Sequence, residues 1–346
     1  MAEWPISIIT LLHILDLIWL KIGTVPTTMK KILFLLFLPA YAQAQFRFSN
    51  DQTPEQKKAF EALEVGWVQP EKSLPESFQP IRKIIESDAI TNELLARVEK
   101  RLLQHGISNV EEIIELCDVE KDKEAVGGVS LQAEVSDIRF HYKDISFPWS
   151  KDHGPIIKSS YSFQIVKLPM FDVLLTTERP NICADPSATV RNAYNIFTHE
   201  LTHFDKMNSF ELALVALTLR SFDDYLKYTV QTRGGELDAF KAEMKAENYM
   251  LSKLRVLNPW AERDYISESG EVDEIGFLKE LTHRYALYYS NGGFQDQIIA
   301  YTREMNNSRI EYLKQVMPYL KSISRSDLIE DIDNEISRLQ DINSNL

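Results

Sequence analysis

The sequence predicts an α+β fold dominated by helices, with one small antiparallel sheet and helical regions on either side of it. Three observations lead there. Glycine and proline are scarce, at 12 and 14 of 346 residues, where together they usually make up ~12% of a chain. Apolar residues recur at spacings of three and four over most of the length, the mark of amphipathic helices. Alternation of the strand kind is confined to short runs between residues 136 and 178. The composition, 44% hydrophobic and 26% charged, is that of an ordinary globular protein. The length suits roughly two domains, or one large one with extensions.

The amino end reads as a targeting segment. From Met29 the chain runs Lys30-Lys31, then an apolar stretch from Ile32 to Leu38, then Ala42-Gln43-Ala44 before Gln45. A cationic start, a short apolar run and an A-x-A site make a secretory signal peptide at 29–44. The run is too short to span a membrane. Upstream, Ile6 to Leu20 is apolar but interrupted by His13 and Asp16. Residues 1–28 are expected to be a gene-model extension, with an uncleaved helical anchor as the alternative. The expected location is periplasmic or secreted, with no stable membrane span after signal removal. In such an oxidising compartment Cys117 and Cys183, 66 residues apart, could pair, but the sequence alone does not decide it.

Residues 45–135 read as polar helices. Pro54 to Leu63 and Ile81 to His105 carry the helical spacing. Gly106-Ile107-Ser108-Asn109 stops one helix and caps another that is expected to run to about Cys117. Asp118 to Gly128 is charged and then glycine-rich, which suits a loop or boundary. Ile138 to Tyr142, Tyr161 to Val166 and Phe171 to Leu175 are the best strands. From Asp185-Pro186 the chain turns helical, with Asp185 as the expected cap. That helix runs to about Met207. Another runs from Asn208-Ser209 to about Tyr228, and Arg233-Gly234-Gly235 breaks it before a helix from Glu236 to about Leu254. Further helices follow Pro259, with a break at Asn291-Gly292-Gly293.

One motif carries chemistry: His199-Glu200-Leu201-Thr202-His203. Helical residues four apart lie about 40° apart around the axis. Both imidazoles therefore leave one face, one turn apart, and can share a tetrahedral Zn²⁺. Glu200 flanks that face and can reach a water held there, which makes it the candidate general base and then acid. A catalytic zinc needs a third protein ligand. Glu236, opening a helix 33 residues after His203, is the natural choice. Ala239 and Ala242 would let that helix approach closely, and Glu243 and Glu247 are reserve ligands. A donor to a developing oxyanion is also needed, with Tyr249, His283, Tyr285, Tyr288 and Tyr289 as candidates.

His199-Glu200-Leu201-Thr202-His203 followed by Glu236-Leu237-Asp238-Ala239 resembles the gluzincin zinc metallopeptidases, over roughly residues 136–255. The resemblance implies a zincin-like catalytic domain there, between an amino-terminal helical region (45–135) and a carboxyl-terminal one (256–346). It implies Zn²⁺ held by His199, His203 and Glu236, and a peptide or protein substrate. The sheet from about 136–178 is expected to pack against the helix that bears His199 and His203. An edge strand within Tyr161–Leu168 or Phe171–Thr176 would then pair with the substrate. Thermolysin-like members carry an aspartate four positions after the ligand glutamate, and this chain has Phe240 there. The partner that orients His199 must come from elsewhere, with Asp205, Asp238 and Glu243 as candidates.

The net charge of −13 and the absence of a basic stretch argue against a nucleic-acid partner. The sequence holds no phosphate loop, dinucleotide fingerprint or nucleophile elbow. The expected function is an exported zinc metallohydrolase, a peptidase first of all. The alternatives are a non-enzymatic envelope protein that retains a zincin scaffold, and a zinc amidase acting on a non-peptide or cell-wall substrate.

Overall fold

The computed structural model describes residues 47–49, 51–117, 127–130, 133–149, 151–257, 265–267, 271–291 and 294–346. The expected extension at 1–28, the signal peptide at 29–44, most of the loop at 118–128 and the break at Gly292-Gly293 lie outside them. Helices dominate, as expected, beside small sheets.

Three helices open the described chain: α1 (Pro54–Leu63), α2 (Leu74–Ser87) and α3 (Ala89–Leu103). Each has a local reason to start where it does. Thr53 and Gln56 form a capping box ahead of Pro54. Glu76 reaches back to the Ser73 N–H at 2.9 Å. Asp88 accepts from the Ile90 N–H at 3.1 Å. Such caps satisfy amide groups that the first turn leaves unpaired.

The segment after Asn109 corrects the sequence reading. It forms a 3₁₀ turn (Val110–Ile113) and then strand β2 (Ile114–Leu116), not a helix to Cys117. With β1 as Arg47–Phe48 and β9 as Val256–Leu257, an antiparallel pair ties the amino end of the described chain to a distant segment. β2 lies parallel to β8 (Asn181–Ala184), which pairs antiparallel with β3 (Gly127–Ser130). Cys117 and Cys183 are joined by a disulfide across this small sheet, with Cα atoms 4.9 Å apart. The bond closes a loop of 66 residues. A native disulfide typically contributes about 2–4 kcal/mol of stabilisation, largely by restricting the unfolded chain. Replacing both cysteines by serine should therefore lower the urea midpoint clearly. An unchanged midpoint would mean that the bond contributes nothing.

The larger sheet has the order β5-β4-β7-β6, all antiparallel. Its strands are β4 (Ala133–Tyr142), β5 (Ile145–Ser146), β6 (Ser162–Leu168) and β7 (Phe171–Thr177). A short helix, α4 (His153–Ser159), lies between β5 and β6.

The remaining helices are α5 (Val190–Lys206), α6 (Ser209–Thr218), α7 (Phe222–Gln231), α8 (Glu236–Lys253), α9 (Glu274–Asn291), α10 (Phe294–Ser322) and α11 (Ser326–Asn345). No described helix is long and apolar enough to cross a membrane. α5 starts at Val190, capped by Thr189, and not at Pro186. The Asp185 carboxylate is taken by the Ser187 N–H and hydroxyl, both at 2.7 Å, which makes a turn ahead of the helix. The expected single helix from 208 to 228 is two, α6 and α7, with Ser221 capping the second.

The larger sheet does not pack on the histidine helix, which corrects the expectation for the 136–178 sheet. Its inner face, with Phe140, Phe171, Val173 and Leu175, shares one core with Ala213 and Leu217 of α6, Ile310 and Leu313 of α10 and Leu328 and Ile332 of α11. Helix α5 contacts β3 and β8 of the smaller sheet instead, along with α2, α3 and α8. Trp67 and Phe78 set their rings edge-on against Phe197 of α5, at 5.6 and 4.8 Å. α5 is buried around almost its whole circumference, so little of it is left for a second sheet. Strand β7, offered as a substrate-binding edge, is interior, and β6 is an edge of the sheet that faces the carboxyl-terminal helices.

Candidate metal centre

Helices α5 and α8 build the site. α5 carries His199 and His203 on its buried face, 9% and 4% exposed. α8 begins at Glu236, immediately after the Gly234-Gly235 turn. That turn is pressed onto the end of α5. Gly234 has φ +78°, and a Cβ there would lie 2.6 Å from Lys206 Cβ and from the Met207 nitrogen. At Gly235 a Cβ would collide with the Thr229 carbonyl. Only glycine permits this approach. Further along α8, the small buried side chains of Ala239 and Ala246 let it lie close to its neighbours.

The structure brings His199, His203 and Glu236 together as a cluster that could hold a metal ion, with ligand atoms within 4.8 Å of one another. His199 Nε2 lies 3.1 Å from His203 Nε2 and 3.2 Å from Glu236 Oε2. His203 Nε2 lies 3.5 Å from the same oxygen.

Each histidine is held from behind by its other nitrogen. His203 Nδ1–H donates to the Gly234 carbonyl at 2.7 Å. His199 Nδ1–H donates to Glu243 Oε2 at 3.2 Å. A carbonyl can only accept, and an ionised carboxylate likewise, so the network assigns the proton of each neutral ring to Nδ1. Both Nε2 atoms are then acceptors lying 3.2 and 3.5 Å from the Glu236 oxygen. Three acceptors facing one another at these distances need a cation or an extra proton between them.

The electrostatics agree. Burial opposes an imidazolium at His199, but the carboxylates of Glu236 and Glu243 outweigh it and raise its pKa well above the usual histidine range. Burial should raise Glu236, yet the two imidazoles hold it far below the ordinary carboxylate range. Glu200 moves the other way. Burial raises its pKa, with His199 and His203 opposing. A site that keeps one carboxylate ionised and pushes its neighbour up separates two roles.

Of the three candidates to orient His199, Glu243 does so. It lies seven residues after Glu236, two turns along the same face of α8. Phe240 sits between them with its ring edge-on to His199 at 4.5 Å. Asp238 contributes indirectly, by accepting from the Gly234 N–H at 3.1 Å. Asp205 is turned away and accepts from Arg97. Among the reserve ligands, Glu247 is engaged by Arg191 at 2.7 Å, a buried pair that ties α8 to the start of α5. The Gly234 carbonyl was not foreseen, although the glycine pair just before Glu236 was the available signal of a close approach.

One of the five oxyanion candidates lies at the cluster. Burial, with the Glu236 and Glu200 carboxylates beside it, holds the Tyr285 hydroxyl protonated far above the usual phenol range. Tyr289 is buried and also senses Glu236. Tyr249 and Tyr288 are exposed, as is His283.

No protein-family model, curated protein or solved structure matches this chain.

Proposed function

We propose that the chain is an exported zinc-dependent hydrolase that cleaves peptide bonds, with His199, His203 and Glu236 as the metal's protein ligands and Glu200 as the proton carrier. The observation that carries this reading is the convergence of three acceptor atoms at a spacing that suits zinc. Ligand atoms about 2.0–2.1 Å from a tetrahedral centre lie ~3.3 Å from one another. The three edges here are 3.1, 3.2 and 3.5 Å. Two imidazoles favour zinc over magnesium or calcium, which take oxygen ligands. Three protein ligands, not four, are the number that catalytic zinc sites use. When bound, zinc supplies Lewis acidity and lowers the pKa of water towards ~7.

The chain's own residues supply the rest. Glu200 is buried beside the cluster and is not one of its members. Burial raises its pKa above the ordinary carboxylate range, which suits a carboxylate that takes a proton and passes it to a leaving nitrogen. Tyr285 offers a protonated hydroxyl that can donate to the oxygen of a carbonyl under attack. The choice of peptide over a cell-wall amide rests on the gluzincin resemblance of the two motifs. The departure at Phe240 weighs less than the sequence suggests, because Glu243 occupies His199 in the aspartate's place. The Cys117–Cys183 bond supports an oxidising compartment.

Metal analysis of the purified protein tests the reading at its base. Wild type should carry about one zinc per chain, and His199→Ala almost none. Wild type that takes up no zinc, or a variant that keeps it fully, would rule the reading out.

A further inference from the structure

Away from the metal cluster, three arginines meet at one cavity. A cavity of about 200 Å³ opens between the end of α6, the turn after it, α10 and α11. Arg220, Arg309 and Arg338 all line it, with Asn306, Thr218 and the apolar side chain of Leu217. In a chain of net charge −13, three arginines lining one cavity stand apart from the general surface.

Arg309 is the fixed part of this arrangement. It is 3% exposed, with its guanidinium carbon 5.2 Å from the centre of the Phe171 ring. It donates to Glu335 at 3.1 Å and to the Asn306 side chain at 3.4 Å. Asn306 is 1% exposed and is anchored in turn by Asn343 at 2.9 Å. Arg309 Nε has no hydrogen-bond partner among the described residues.

Charge does not balance here. Glu335 is the carboxylate that Arg309 meets, and both of its oxygens also accept from Arg338 at 2.7 Å. Arg220 brings a third guanidinium, exposed and in no ion pair among the described residues. Burial pulls Arg309 down to about 10 although Glu335 supports its charge, and Arg338 adds to the pull. A buried cation is costly unless an anion neutralises it, and the carboxylate that meets Arg309 is shared with Arg338. A pair kept only for structure would need neither an open cavity nor a third arginine.

We propose that this cavity is a second binding site, for a small organic anion whose phosphate or carboxylate group meets the three arginines. Guanidinium forks match the oxygens of both groups, and such charge-assisted bonds are the strong ones. The volume is below that of drug-sized pockets, and the wall at Leu217 suits a short apolar body. The site shares no residue with the metal cluster, so it stands whether or not the zinc reading does.

Calorimetric titration and thermal shift of the full chain with phenyl phosphate, benzoate and neutral benzyl alcohol test this. At least one anion should bind saturably, and which one does separates a phosphate monoester from a carboxylate. Benzyl alcohol should not bind. Arg220→Gln and Arg338→Gln, both at exposed positions, should each weaken the anion roughly ten-fold or more. His199→Ala with His203→Ala should leave the anion's affinity unchanged. The proposal fails if neither anion binds saturably, if the arginine variants bind as wild type, or if removing the two histidines removes the binding.

Discussion

Glu200→Gln should leave zinc content and thermal stability nearly unchanged and reduce hydrolysis roughly 10²–10⁴-fold, the usual worth of general acid–base catalysis. Glutamine keeps the length and helix compatibility of glutamate, and position 200 contributes no atom to the cluster of His199, His203 and Glu236. What is lost is the capacity to accept a proton. The neighbours sharpen the expectation. Glu200 is buried, with its pKa raised, close to an ionised Glu236. A neutral amide there removes one negative charge from a crowded acidic site, so the metal should be held almost as firmly and the fold should not suffer. The assay is cleavage of an unbiased peptide or casein pool, run beside a panel of cell-wall fragments. Equal turnover in wild type and variant would overturn the role given to Glu200. Turnover of the cell-wall fragments alone would keep the mechanism and change the substrate. Firm zinc with no turnover in either panel would leave the scaffold reading in its place.

The parts of this site that were legible in the sequence are those set by helical geometry. His199 and His203 are four residues apart, and that spacing alone places both rings on one face. Glu236 could be chosen because it opens the next helix after a glycine pair. Glu243 lies two turns along from Glu236, which narrows the candidates to a few without selecting one. The Gly234 carbonyl was not legible, because it depends on how tightly one turn presses against the end of another helix.

Non-local pairing hid the rest. Ile114 to Leu116 has no helical fate because it pairs with Ile182 to Ala184, 68 residues on in each pair, and the disulfide closes the same contact. Local pattern carries no record of such a partner. The placement of the larger sheet was missed for a related reason. Alternation shows that one face is apolar and does not say what covers it. Here α10 and α11 supply Ile310, Leu313, Leu328 and Ile332. The start of α5 turned on one side chain. Asp185 can cap a helix or close a turn on Ser187, and it does the second.

Removing the ligand and orienting groups one at a time should rank them, and the ranking tests the site more finely than any single loss. His203→Ala and Glu236→Ala each delete one of three protein ligands, and zinc should then be lost on dialysis. Glu243→Ala deletes only the acceptor behind His199. Loss of such an outer partner typically weakens metal about 10–100-fold, so this variant should still load at high zinc and lose it sooner to a chelator. Glu247→Ala should keep wild-type zinc affinity. It should still lose stability, because the buried ion pair between Glu247 and Arg191 at 2.7 Å would be broken. Stability gives a second readout for the others. Metal that binds only the folded chain raises the melting temperature with metal concentration. Wild type should show that rise, Glu243→Ala the same rise displaced to higher zinc, and Glu236→Ala none. If Glu236→Ala tracks wild type while Glu243→Ala or Glu247→Ala loses the rise, the third ligand lies further along α8.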